Sequence, residues 1–200
     1  MKKNELKDTF FKKAKKDGYR ARSIYKLEEI QGRYKLIKKG DRVLDLGCSP
    51  GSFLQYISHT VGEKGRVIGI DILPTQPINK TNIKTFQVDI KKVDVKEIMA
   101  EASIEIFDTI TCDIAPNLTG IRETDDKNIY EIYEAARNIV HISLKKDGNF
   151  IFKSFFTDIF KPMATELRTM FKKVIIYKPE ASRTSSSEVY IICQGKIQGP

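Results

Sequence analysis

A Rossmann-like α/β fold, with a seven-stranded, mostly parallel sheet and helices on both faces, is the architecture this sequence predicts. Two observations lead there. From Arg42 onward short apolar runs alternate with amphipathic segments, and a glycine loop joins the first such run to the helix after it. A third observation qualifies the picture. The last two apolar runs are separated by EASRTSSS, too short and polar for a crossover helix, so those strands should be antiparallel.

Ala21 to Tyr34, ARSIYKLEEIQGRY, spaces Ile24, Leu27 and Ile30 three apart, which is a helical stripe. Ser23 is a candidate N-cap, and Lys26 lies off the stripe. RVLDLG, RVIGID, KTFQVDI, FDTITCDIA and GNFIFKSF read as strands. Ser52 to Val61, Val95 to Ala102, Asp126 to Leu144 and Asp158 to Phe171 read as helices. Gly148, after Lys145, Lys146 and Asp147, is expected to stop the helix before it. KVIIYKP and EVYIICQG are the final strands. Residues 1–200 are expected to form one domain, with 1–40 as a basic arm and helix.

Composition narrows the function. No window approaches the roughly 18 uninterrupted apolar residues of a membrane span, and the Lys-rich start, mixed with acids, is unlike a signal peptide. Cys48, Cys112 and Cys193 are far apart, and with two histidines there is no metal-ligand spacing, so no metal is expected. An intracellular, cytoplasmic protein with reduced thiols follows, an organellar (mitochondrial) or nucleolar home staying open. Of the formal net charge of +9, all sits in Met1 to Arg42, where 15 Lys and Arg face 6 Asp and Glu. Clustered cations gain affinity by displacing counterions from nucleic acid, and Phe10, Phe11, Tyr19, Tyr25 and Tyr34 interleave with them as stacking candidates. RNA or DNA is the expected partner, with Lys12, Lys13, Arg20 and Arg22 as contacts. Arg183, in the Ser-rich turn Ser182 to Ser187, is a further one.

VLDLGCSPGSF runs from a buried strand through Gly47 and Gly51 into a helix, which suits a nucleotide-type ligand at the carboxyl edge of a parallel sheet. The spacing is GxxxG with Pro50 inside it, not GxGxxG, and no Gly-Lys-Ser/Thr follows; dinucleotide and P-loop readings are weakened. Asp71 ends the next strand, where a carboxylate can take ribose hydroxyls, and Asp89 ends the one after, where it can accept an adenine amino group. Strand ends carrying Asp45, Asp71 and Asp89 suit a cationic, donor-rich ligand. S-adenosylmethionine fits best. Asp113 ends the strand beside the loop and points over the same crevice. Lys153 amid Phe, Ile and Phe calls for a crevice or an acid partner, because an unpaired buried charge is costly. Glu188 opens the last strand.

RARSIYKL, VLDLGCSPGSF, GIDILP, CDIAPNLTG, FIFKSF and SSSEVYI together resemble the RrmJ/FtsJ family of S-adenosylmethionine-dependent 2′-O-ribose RNA methyltransferases, across Asp17 to Lys196. The resemblance implies a Lys-Asp-Lys-Glu tetrad at Lys26, Asp113, Lys153 and Glu188. It implies the same sheet with an antiparallel last strand, and a uridine of large-subunit ribosomal RNA as target. A ribose hydroxyl is a weak nucleophile, so the enzyme must align it and accept a proton. Lys153 is expected to take that proton, Lys26 to favour its neutral form and orient the hydroxyl, and Asp113 and Glu188 to position the lysines. Where bacterial relatives commonly have Gly-Gly-Trp this chain has Gly51-Ser52-Phe53, with Phe53 expected to pack on the donor. DIAPNLTG resembles the ribosomal branch more than the transfer-RNA branch, which is kept as the alternative substrate.

Other chemistries fit less well. A cytosine-C5 enzyme needs a nucleophilic thiol, but Cys112 and Asp113 point to opposite sides of a strand and cannot both enter one site. An adenine-N6 enzyme would need a second proline and an aromatic in DIAPN. A non-catalytic RNA-binding module would lack tetrad members, and all four are present. A monomer is expected, since a basic arm needs no second copy to hold RNA.

Overall fold

The computed structural model describes residues 3–182 and 186–199. Helices α1 (Lys3–Lys16) and α2 (Ile24–Tyr34) precede the alternating part: β1 (Arg42–Leu46), α3 (Ser52–Val61), β2 (Arg66–Asp71), β3 (Ile83–Gln87), α4 (Val95–Glu101), β4 (Phe107–Cys112), α5 (Arg122–Ser143), β5 (Leu144–Phe155), α6 (Phe160–Met170), β6 (Phe171–Tyr177) and β7 (Glu188–Lys196). The seven strands form one sheet in the order β3-β2-β1-β4-β5-β7-β6. The pairs β1 to β2, β1 to β4, β2 to β3 and β4 to β5 are parallel, while β7 runs antiparallel to both β5 and β6. Strand order reverses between β1 and β4, which places a ligand crevice at their carboxyl ends.

Alternation along the strands feeds two cores. Leu44, Leu46, Ile110, Phe150 and Phe152 turn to the side covered by α4, α5 and α6, where Tyr133, Val140 and Leu167 meet them. Val43, Val67, Ile151 and Ile192 turn the other way, against Leu27 and Ile30 of α2 and Leu54 and Ile57 of α3. Each fully buried side chain of this size stabilises the fold by about 1.5–3 kcal/mol relative to exposure. The helical stripe expected on α2 is therefore its buried face, and Lys26, off that stripe, is left to face the sheet's edge.

Two local expectations are corrected. Ser23 precedes α2, but its hydroxyl caps nothing and instead hydrogen-bonds the Ser52 hydroxyl at 3.0 Å, joining α2 to the start of α3. Gly148 does not end α5. The helix stops at Leu144, which turns extended and begins β5 at once. The buried ammonium of Lys196, from β7, donates to the carbonyls of Val140, His141 and Leu144 at 2.9 Å each. It thereby satisfies groups that a helix C-terminus otherwise leaves unpaired. Gly148 instead lies where the β4 to β5 register shifts, between Leu144 opposite Phe107 and Asn149 opposite Thr109. Asp147 next to it takes the left-handed conformation, φ 62°.

Candidate active site

β1 ends at Leu46 and the chain turns at Gly47, φ 79°. A Cβ there would stand 2.4 Å from Ile114 Cγ1, so only glycine fits. A cavity of about 680 Å³ opens beside this turn, lined by Gly47, Ser49, Asp71, Asp89, Asp113 and, from α5, Glu131. That volume lies within the roughly 300–1,000 Å³ of small-molecule sites. Asp71 is held by the loops around it: Oδ2 accepts the Ser49 N–H and Oδ1 the Leu73 N–H, both at 2.8 Å. Asp89 lies two residues past β3 in a tight turn, its Oδ1 accepting the Lys91 N–H at 2.9 Å. The cavity thus has four carboxylates on its wall, a chemistry suited to a cationic ligand rich in donors.

Four residues expected at the ligand lie elsewhere. Asp45 is fully buried within β1, opposite Thr111 of β4, and accepts that hydroxyl at 2.6 Å. Its Oδ2 has no hydrogen-bond partner among the described residues. Burial, seconded by repulsion from Asp113 and Asp71, pushes its carboxyl up to about 8. Pro50 and Gly51 are not among the residues lining the cavity, and Gly51 is covered: a Cβ there would meet Ile78 Cδ1 at 2.9 Å and Arg20 Nη1 at 3.1 Å. Phe53 is buried in the core between α2, α3 and the sheet, not beside the cavity.

The four charged residues form two ion pairs. Lys153, 7% exposed, donates to the Asp113 carbonyl at 2.5 Å and lies 3.2 Å from Asp113 Oδ1. Lys26 Nζ stands 2.6 Å from Glu188 Oε1. Register explains the gathering: Lys153 of β5 is directly opposite Tyr190 of β7, and Glu188 is two residues before Tyr190, on the same side of the strand. Lys26 is brought over by α2, which is tied down nearby because Glu29 accepts from the Tyr177 hydroxyl and the Glu180 N–H. Ser182 steadies Glu188 by donating to Oε1 at 3.0 Å. Breaking one partner of a buried pair costs about 3–5 kcal/mol, so each pair fixes its lysine firmly.

Tyr190 is a member of this cluster that sequence reasoning missed. Its hydroxyl donates to Asp113 Oδ1 at 2.5 Å, and burial, with the charges of Asp113 and Glu188 behind it, raises the phenol well above its usual range. The signal was the two-residue spacing from Glu188 in SEVYI. Cys112, next to Asp113, turns to the opposite core, where burial pushes its thiol up to about 12 and removes it as a nucleophile. His59 is exposed in the last turn of α3. No group of three metal-ligating side chains occurs among the described residues.

The basic arm is more ordered than expected. Tyr25 is buried, donates to Asp17 Oδ2 at 2.8 Å and packs with Phe10 and Tyr19, while Tyr34 packs edge-on against Tyr177. Of the five aromatics expected to stack on bases, Phe11 is the one with a large exposed face. Lys12 and Lys13 lie on the exposed side of α1, with Lys13 Nζ 4.3 Å above the Tyr25 ring. Arg22 is half-buried. Arg20 is half-buried, and its guanidinium donates to the backbone carbonyls of Pro50, Gln76 and Pro77. Arg183 falls outside the described residues.

The chain is similar to known proteins. The family model for FtsJ-like methyltransferase matches residues 19–196. A ribosomal RNA large subunit methyltransferase E from Bdellovibrio bacteriovorus is 40% identical over 93% of this chain and 95% of its own length. One of the same name from Desulfatibacillum aliphaticivorans is 39% identical over 98% and 94%. The crystal structure of a ribosomal RNA methyltransferase from Plasmodium falciparum superposes with a TM-score of 0.80 at 27% identity, covering 91% of this chain and all of that one. Its family takes the transferred methyl from S-adenosylmethionine, which agrees with a carboxylate-walled cavity at the switch point. Sheet order, glycine turn and near full-length identity converge: the chain belongs to the FtsJ-like methyltransferases.

Proposed function

We propose that this protein methylates a ribose 2′-hydroxyl in large-subunit ribosomal RNA, with Lys153 as the proton acceptor. The observation that carries the reading is the pair of largely covered lysines, each held by its own carboxylate, with one of those carboxylates, Asp113, on the cavity wall. Support for the substrate comes from the relatives named for that RNA. When bound, S-adenosylmethionine supplies a methyl already activated by its sulfonium, so the protein's own task is alignment and removal of one proton.

The residues divide that task by position. Asp113 faces the cavity and fixes Lys153, so one carboxylate sets the acceptor lysine relative to the donor's cationic end. The Tyr190 hydroxyl draws on the same Asp113 oxygen, which weakens its hold on the Lys153 proton. Lys26, set by Glu188, orients the ribose hydroxyl from the α2 side. Asp71 and Asp89, on the cavity wall, hold the ribose and adenine of the donor. Lys12 and Lys13 supply phosphate contacts. The reading takes the protein as a monomer and a single domain. Among the described residues no helix is long and apolar enough to cross a membrane, and a cytoplasmic place of action follows from the reading.

The test is transfer of labelled methyl from S-adenosylmethionine to ribosomal RNA or to large subunits, followed by nuclease digestion and mass spectrometry. Wild type should yield a 2′-O-methylated nucleotide, a uridine on the family resemblance, and Lys153→Ala should lose at least about a hundredfold in rate. Label on a base would overturn the ribose reading. Full activity in Lys153→Met would overturn the base assignment.

A further inference from the structure

We propose that Arg20 serves the donor site, as a clasp that fixes the β2 to β3 loop beside the cavity. The charge pattern alone assigns this arginine to RNA, yet its guanidinium is committed to backbone carbonyls of its own chain. Nη1 donates to the Pro50 carbonyl at 2.9 Å and the Gln76 carbonyl at 2.6 Å, and Nη2 to the Pro77 carbonyl at 2.7 Å. One planar fork therefore joins the glycine loop to the loop that follows β2. Arginine is suited to this, having five donors in fixed directions, whereas a lysine is a point charge.

Three further contacts point the same way. Arg20's own N–H donates to Gln55 Oε1 at 3.0 Å, and Gln55 Nε2 donates to the Gly18 carbonyl at 3.0 Å, so α3 fixes the backbone from which the clasp extends. The Cys48 thiol and Thr75 hydroxyl meet at 3.4 Å, pinning the same loop to the glycine turn. Ile78 and Thr75 side chains crowd the position a Gly51 Cβ would take, together with Arg20 Nη1.

What the clasp holds bears on the donor. Ile72 and Leu73, at the start of the clasped loop, line the cavity, although both are more than half exposed. The Leu73 N–H donates to Asp71 Oδ1 and the Ser49 N–H to Asp71 Oδ2, so the two loops that Arg20 bridges also set the carboxylate assigned to the ribose. Losing the guanidinium frees the loop and lets Asp71 and Leu73 leave the geometry the donor requires. Ordering them then has to be met from the donor's own binding free energy, and affinity falls. Arg20 is thus a positioning residue, acting through Asp71 and Leu73.

The inference rests on S-adenosylmethionine being the donor, and the experiment separates the two. Titration calorimetry of full-length protein with S-adenosylmethionine, in the absence of RNA, is compared for wild type, Arg20→Ala, Arg20→Lys and Gln55→Ala, with thermal unfolding alongside. The expected result is a donor Kd raised roughly tenfold or more in Arg20→Ala, with Arg20→Lys and Gln55→Ala between it and wild type. In turnover the donor KM should rise while kcat at saturating donor stays within about twofold, a split that general destabilisation does not give. Should Arg20→Ala bind donor as wild type does, while RNA affinity drops and its salt slope falls by about one, the arginine is a phosphate contact and the clasp is overturned. Wild type that binds no S-adenosylmethionine would overturn the donor assignment, and the clasp with it.

Discussion

Asp113 accepts two donors on one oxygen, the Tyr190 hydroxyl and the Lys153 ammonium, and faces the cavity besides. Sequence shows such a carboxylate, and shows Lys153, because a charge inside an apolar run is conspicuous. Tyr190 is not conspicuous, since a tyrosine in EVYIIC reads as core filling, and its polar end matters only once β5 and β7 are in register. Asp45 illustrates the opposite failure. Its position at a strand end beside a glycine turn suggested a ligand contact, while two residues of chain length keep it inside the sheet. With a folded value of about 8 against roughly 3.9 unfolded, its proton is retained by the native state alone between those limits. Stability from this group is fully present below about 4 and is lost as pH rises toward 8. Asp45→Asn, which cannot ionise, should therefore gain on wild type as pH increases from 5 to 8, by up to roughly 1.4 kcal/mol per unit. Urea titrations at both ends of that range give the comparison, and a gap between the two proteins that does not change with pH would refute the assignment.

Among the elements, the inner strands β1, β2 and β4 were read almost as they stand because each carries an apolar run that is nearly all buried. Helix ends were read less well. α5 starts at Arg122, four residues before the apolar pattern, since its first turn is polar and its entry is fixed by Asp125, which accepts from Thr119 and Gly120 N–H groups. Its far end is set by Lys196 from another strand, a contact that no local pattern encodes. Lys196→Met keeps most of the side-chain volume but removes the donor to three carbonyls, and should cost roughly 2–4 kcal/mol of unfolding free energy. Denaturant unfolding reads that loss directly, while methyl transfer well below the transition should stay near wild type, because Lys196 touches none of the site.

Over the whole molecule, charge is segregated along the chain, with the +9 excess confined to its first 42 residues. Lys12 and Lys13, exposed on α1, are expected to carry part of the counterion release on RNA binding. Replacing both with glutamate should weaken RNA binding, flatten the dependence of log K on log salt by about one to two, and leave the donor Kd unchanged. Filter binding across a salt series would show it; an unaltered slope would place the RNA elsewhere. The order of elements was legible because it is written as local patterns, whereas the grouping of Lys26 with Asp113, Lys153 and Glu188 came from the family resemblance. The roles of Arg20 and Glu29 were not legible, as each acts on backbone or side chains far away in sequence. The Lys26 to Glu188 pair draws its two members from the second helix and the last strand. That one contact ties almost the full length of polypeptide into a closed circuit. A nascent chain, a partly folded intermediate or a fragment lacking either segment cannot assemble the cluster, which is complete only after β7 has entered between its neighbours.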